Sequence, residues 1–207
     1  MSSLKLKHSG GNSVSIAAPS SNPASNRTLT VPSNADGTIL TTTNPKSGNI
    51  LQVVSSVKND TASANVAADT YSDLGITDFD VDITPASTSN KILISGFVNV
   101  SRDGAGGFVY IQLRKGGSAI TGATGDAASN RARALAGGSI ANLAHVITIP
   151  FQYLDSPSST SQLTYSLQFR HDGGSSKNLF LNRSQEDTDN VYQTRVISVI
   201  TAMEVAG

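Results

Sequence analysis

The sequence predicts an all-β chain: an extended N-terminal segment with short intertwined strands over residues 1–50, then an antiparallel jelly-roll-like β-sandwich over residues 51–207. Three observations predict it. Apolar and polar residues alternate at period two, most cleanly in Leu163, Tyr165, Leu167 and Phe169 against Thr164, Ser166, Gln168 and Arg170. Turn-forming clusters separate the apolar runs. Eighteen Gly and seven Pro among abundant Ser, Thr and Asn leave too few helix formers for a helical bundle.

In chain order, Leu4 and Leu6 alternate with lysines, and Val14 and Ile16 with serines. Pro19, Pro23, Pro32 and Pro45 then punctuate short extended pieces such as Thr28-Leu29-Thr30-Val31. Each piece is too short to bury its own apolar face, so the segment is expected to pack on partners, such as equivalent strands of other copies, the alternative being a disordered leader. In a threefold bundle Leu29, Val31, Ile39 and Leu40 pack against their symmetry mates, which also covers exposed strand edges.

Ile50 to Val57 opens the sandwich, and Phe79, Val81 and Ile83 alternate with Asp78, Asp80 and Asp82. Lys91 to Val100 is apolar on both faces over most of its length and reads as a central strand. Phe108–Leu113, Val146–Tyr153, Leu163–Arg170, Leu179–Asn182 and Arg195–Val205 complete about eight strands, the number of a jelly roll. Turns are marked by Asp103-Gly104, Lys115-Gly116-Gly117, Asp155-Ser156-Pro157 and Asp172-Gly173-Gly174. Asp126 to Ala144 is Ala-rich, yet Gly137-Gly138 in its middle disfavours a helix, so a long loop or short edge strand is expected.

Lys plus Arg and Asp plus Glu number 15 each, and only 14% of residues are charged. That balance argues against nucleic-acid binding, which needs a surplus of cations on one face. The absence of Cys removes disulfides, thiolate metal sites and cysteine nucleophiles. No apolar h-region follows the N-terminus and no run approaches a membrane span, so neither export nor membrane insertion is expected.

Leu4-Lys5-Leu6-Lys7-His8, Asn26-Arg27-Thr28-Leu29-Thr30-Val31-Pro32 and Ala35-Asp36-Gly37-Thr38-Ile39-Leu40 resemble the attachment segment of tailed-bacteriophage fibre and virion structural proteins, especially those of marine phages and cyanophages. Ile83-Thr84-Pro85, Tyr153-Leu154-Asp155-Ser156-Pro157 and the closing Met203-Glu204-Val205 resemble the knob that follows such a segment. The resemblance implies a homotrimer in the virion, made in the host cytoplasm, whose residues 1–50 bind a tail adaptor or the capsid and whose knob meets a host-surface glycan or protein. Leu4, Leu6, Val14, Ile16, Leu29, Val31, Ile39 and Leu40 are then the attachment and trimer contacts.

The three histidines, at 8, 145 and 171, have no ligand spacing, and no Gly-x-Ser-x-Gly elbow offers a nucleophile. His171-Asp172 reads as a loop tip after a strand. Asp78, Asp80 and Asp82 read as a solvated strand face, and Glu186-Asp187-Thr188-Asp189-Asn190 as a polar turn with some resemblance to a cation loop. No catalytic residue, metal or cofactor is expected. Receptor contacts are assigned to loop polar groups and aromatics, namely Tyr110, Arg131, Arg133 and Tyr192, because multivalent display lets a modest site suffice. The leading reading is a short tail fibre or spike for adhesion; a capsid decoration or head-fibre protein, a glycan-degrading spike and a cellular carbohydrate-binding sandwich are the alternatives.

Overall fold

The computed structural model describes residues 3–17 and 45–207. The chain divides into two compact units, Met1–Ile39 and Leu40–Gly207. In the first, β1 (Ser3–Lys7) and β2 (Ser13–Ala17) form an antiparallel hairpin that pairs Leu4 with Ile16 and Leu6 with Val14. Leu4, Leu6 and Ile16 are 61%, 56% and 49% exposed. A two-stranded hairpin with its apolar side chains in water lacks the burial that stabilises a sheet. Leu29, Val31, Ile39 and Leu40 lie outside the described residues.

The second unit is a sandwich of two antiparallel sheets. Its strands are β3 (Ile50–Lys58), β4 (Ala62–Val66), β5 (Asp80–Ile83), β6 (Lys91–Arg102), β7 (Gly107–Lys115), β8 (Ser118–Ala119), β9 (Ala136–Ile140), β10 (Ile147–Asp155), β11 (Leu163–His171), β12 (Lys177–Leu181) and β13 (Ser198–Val205). The first sheet runs β3-β13-β6-β10, extended by β4 beside β12; the second runs β5-β11-β7, with β8 and β9 on the outer edge of β7. Pairing is nested: β3 with β13, β5 with β11, β6 with β10, and β7 with β9. A long hairpin rolled over itself gives this order, which is the jelly roll. Among the described residues no helix is long and apolar enough to cross a membrane.

The core follows from period two. Ile92, Ile94 and Val98 of β6 and Ile200 and Ala202 of β13 face Val109, Ile111 and Leu113 of β7 and Tyr165 and Phe169 of β11, all buried. Phe151 of β10 reaches across β6 over Gly96, where an added Cβ would lie 2.9 Å from Phe151 Cζ and 2.0 Å from the Val199 carbonyl. Any larger residue there would push β13 away.

Buried polar groups tie the layers together. Asp155, at the end of β10, accepts hydrogen bonds from Tyr165 Oη and Lys115 Nζ of the opposite sheet, both at 2.7 Å. Burial and the adjacent Asp155 carboxylate raise the Tyr165 phenol far above its ordinary value, so it stays protonated as the donor. Glu204 of β13, 1% exposed, accepts from Gln52 Nε2, the Ala86 N–H and Asn90 Nδ2.

The strand facing solvent at Asp78, Asp80 and Asp82 is shorter than expected, because β5 begins at Asp80. Asp78 instead holds Lys58 Nζ with both carboxylate oxygens, at 2.7 and 2.8 Å. The expected strand over Arg195–Val205 starts three residues late: Arg195 pairs with Asp187, and the Val196 N–H and Ile197 carbonyl bond to Asn182 and Asn99 instead of a ladder. Nor is His171 at a loop tip. It ends β11 fully buried, with Nε2 3.0 Å from the Val66 carbonyl.

The inter-sheet clamp predicts a ranking of variants. Asp155→Ala leaves the buried Tyr165 hydroxyl without an acceptor and unpairs the partly exposed Lys115, and should lower unfolding free energy by about 2 kcal/mol, whereas Tyr165→Phe, which removes one bond, should cost about 1 kcal/mol. Urea titrations followed by far-ultraviolet circular dichroism measure both; equal stability of Asp155→Ala and the wild type would contradict the clamp.

Candidate functional site

Alternation assigns every second residue of the sandwich to an outer face, and the two outer faces differ in chemistry. On the first sheet the register aligns three rows of outward side chains. Pro150, Phe97, Val199 and Val57 form one, Gln152, Ser95, Thr201 and Ser55 the next, and Leu154, Leu93, Met203 and Val53 the third. None of the twelve is charged. Val53, Val57 and Leu154 are 57%, 54% and 46% exposed.

The second sheet presents polar and aromatic groups. Tyr110, Gln112 and Arg114 of β7 lie opposite Arg170, Gln168 and Ser166 of β11. Arg114 Nη1 donates to Gln168 Oε1 at 2.8 Å, which binds the two strands side chain to side chain. Beside this face the loop between β8 and β9 makes three adjoining concavities, of about 460, 370 and 430 Å³. Arg131 lines all three, Tyr110 two and Arg170 two.

Each side chain in the groove is placed by an identifiable contact. Phe108 and Tyr110, two apart on one strand, put their rings 6.1 Å apart and within 7° of parallel. Tyr110 lies against β9 because its cross-strand partner is Gly137, where a Cβ would come within 2.6 Å of the tyrosine ring. Arg133 Nε donates to the Gly125 carbonyl at 2.8 Å, and the Arg133 carbonyl accepts from Tyr71 Oη at 2.7 Å. Arg170 pairs with Asp69, and its guanidinium carbon sits 6.0 Å from the centre of the Tyr71 ring. Arg170 Nε, buried, has no hydrogen-bond partner among the described residues. Nor does the guanidinium of exposed Arg131 have an acidic partner there.

Three of the expected contact residues, Tyr110, Arg131 and Arg133, therefore converge. Tyr192 does not join them: it stands 80% exposed on the separate 182–197 loop, beside Val191 at 89%. Phe108, Arg170, Tyr71 and Gly137 were not anticipated. Phe108 and Arg170 were legible by parity, as outward residues of alternating strands, whereas Tyr71 and Gly137 enter only through tertiary contact. In the 186–190 loop Asp187 is paired to Arg195 at 2.6 Å and Arg183 at 3.6 Å, and Glu186 accepts from Gln193. Asn182, in a glycosylation-like triplet, is fully buried and uses its amide on the Lys58 and Asp60 carbonyls at 2.8 Å. Among the described residues no group of three or more His, Asp or Glu is placed to hold a metal ion.

Burial raises the phenols of Tyr71 and Tyr110 above their ordinary value; the Asp172 carboxylate adds to this at Tyr110, and Arg170 opposes it at both. A raised folded-state value means that the unfolded chain ionises first. The stability these phenols contribute is therefore complete below pH about 10 and is lost as the pH rises further. In an ultraviolet titration, Tyr71→Phe and Tyr110→Phe should each remove amplitude from the phase above pH about 10; loss from an earlier phase would show that the rings are solvated.

No family model matches the chain, and no curated protein matches it. Among solved structures it is similar to the infectious bursal disease virus VP2 subviral particle, at 13% identity and a TM-score of 0.41, covering 94% of this chain and 47% of that one. It is similar also to the infectious bursal disease virus Gt strain structure, at 12% identity and a TM-score of 0.41, with 95% and 48% covered. A third is the T=1 particle derived from the same virus, at 12% identity and a TM-score of 0.40, with 87% and 40% covered. The chain spans less than half the length of each of these structures.

Proposed function

We propose that the protein is a non-enzymatic virion structural protein of a tailed bacteriophage, a homotrimeric short tail fibre or spike that adheres to the host surface. Residues 1–50 attach it to the particle, to a tail adaptor or the capsid, and residues 51–207 form the knob. The observation that carries this reading is the uncharged outer face of the first sheet. A two-layer sandwich in water normally shows charged and polar groups on both outer faces. Here eight of the twelve outward residues in the three rows are apolar, spread over four strands. At about 4.8 Å between strands and about 3.3 Å per residue, the rows span roughly 350 Å² of sheet. Two apolar rows flanking an uncharged polar row over that area suit an interaction surface.

Copies of the same chain are the occupants that fit such a surface best. An uncharged face offers no complementarity to a charged partner, but it is compatible with its own symmetry mates. Exposed Leu4, Leu6 and Ile16 of the β1–β2 hairpin need covering for the same reason. With that face turned to the symmetry axis, the polar and aromatic groove is carried outward in three copies. Adhesion then gains from multivalency, because each further engagement is intramolecular once the first has formed.

The test is the mass of the purified full chain by sedimentation or mass photometry. The expected species has three times the 21.4 kDa chain mass. The double variant Leu93→Glu, Met203→Glu, which places two charges in one outward row, should be monomeric while keeping a β-rich circular dichroism spectrum. A stable folded monomer of the wild-type chain at micromolar concentration would overturn the trimer.

A further inference from the structure

We propose that the groove around Arg131 binds a carboxylate-bearing sugar unit of an acidic surface polysaccharide. The inference names a ligand class for the adhesive site and rests on the adhesion reading for its biological setting. Two kinds of group meet there. One is an aromatic pair, Phe108 with Tyr110, whose rings are within 7° of parallel with centres 6.1 Å apart and of which Phe108 is 43% exposed. The negative face of an aromatic ring attracts polarised C–H bonds, and the axial hydrogens of a pyranose present such bonds over a matching flat area.

The other is a set of arginines with donor capacity to spare. Among the described residues the Arg131 guanidinium makes no ion pair or hydrogen bond, although it lines all three concavities. Arg133 is anchored through Nε to Gly125, leaving only a long 3.4 Å contact from Nη2 to Thr124. Arg170 stands at the floor, oriented by Asp69, with its Nε unmatched. A guanidinium fork fits the two coplanar oxygens of a carboxylate, and Arg131, with no acidic partner among the described residues, is open to one.

The charge balance selects the ligand further. Asp69 and Asp172 line the groove but are engaged by Arg170 and Arg102, and Asp126 stands on the rim of the largest concavity. Arg131 and Arg133 against Asp126 leave a surplus of one positive charge. That suits a monoanionic sugar acid better than a doubly charged phosphate. Gly137 is part of the same device, since any side chain there would displace the Tyr110 ring.

The experiment is calorimetric titration of the full chain with oligogalacturonate, oligoglucuronate and sialyl-oligosaccharide, each beside its carboxyl methyl ester, and with oligoglutamate. The expected result is binding to at least one acid saccharide, at least tenfold weaker for its methyl ester and for oligoglutamate. Arg131→Ala should weaken that binding at least tenfold, Arg131→Lys should restore it only in part, and Phe108→Ala and Gly137→Ala should each weaken it with charge unchanged. Arg131 and Phe108 are exposed, so thermal unfolding of their variants should match the wild type. Binding of oligoglutamate as tight as any saccharide would overturn the sugar in favour of an acidic peptide. A wild type that binds none of the acid saccharides yet is retained on bacterial envelope preparations overturns the ligand class and leaves adhesion standing; one retained on neither overturns both.

Discussion

The sandwich depends on one strand holding three others. β6 runs for 12 residues, with β10 on one edge over Ile92–Val100 and, on the other, β13 over Lys91–Phe97 followed by β12 over Val100–Arg102. Two strands cannot abut along one edge without leaving backbone groups unpaired at the seam, and buried unpaired amides are costly. Side chains close it. The Asn99 N–H donates to Ser198 Oγ at 2.9 Å, the Ser198 hydroxyl donates to Asn182 Oδ1 at 2.7 Å, and the Asn182 N–H donates to the Asn99 carbonyl at 2.8 Å. Asn182 takes a positive φ of 61°, a conformation that Asn tolerates better than most side chains, and so turns the chain out of β12. With the seam satisfied, β6 fixes the register of the whole first sheet, and with it which residues enter the core and which form the outer rows.

From that register the two outer faces acquire different chemistry with no change of fold. The same period-two rule that buries Ile92 and Ile94 turns Leu93 and Ser95 outward, and on the opposite sheet it buries Ile111 while turning Tyr110 and Gln112 out. One face then carries no charge in its three rows, and the other gathers arginines and aromatic rings beneath a loop. The division matches what a multivalent adhesin requires: a surface that avoids water and a surface that meets a ligand. The inter-sheet clamp at Asp155 keeps the two layers, and so the two surfaces, in fixed relation within the sandwich.

Much of the sandwich was legible because its central strands follow simple patterns. Leu163–Arg170 alternates without exception, and Lys91–Val100 is apolar enough on both faces to be central. The failures have physical causes. β4, Ala62–Val66, carries mostly small residues and is held by pairing to β12 rather than by its own burial, so it left no pattern to read. Arg195 to Ile197 has strand-like composition but spends its groups on Asp187, Asn182 and Asn99. The eight strands expected from the sequence correspond to β3, β5, β6, β7, β10, β11, β12 and β13; β4 and the two-residue β8 come in addition, and β9 is a short edge strand within 126–144. Of the groove, the arginines at 131 and 133 and Tyr110 stood out by residue type, while Tyr71 and Gly137 belong to it only because loop and sheet meet in three dimensions.

The claim on which the functional reading rests is that copies of the chain cover the outer face of the first sheet. The chain has no cysteine, so a single Thr201→Cys at the centre of the middle row reports on that face alone. Its rate of maleimide labelling in the native full chain, compared with Ser161→Cys in an exposed loop, is the decisive quantity. Strong protection of Cys at 201, lost when Leu93 and Met203 are both replaced by Glu, is the result expected of a covered face. Labelling at 201 as fast as at 161 in the wild-type background would show a face open to water and contradict the assembly.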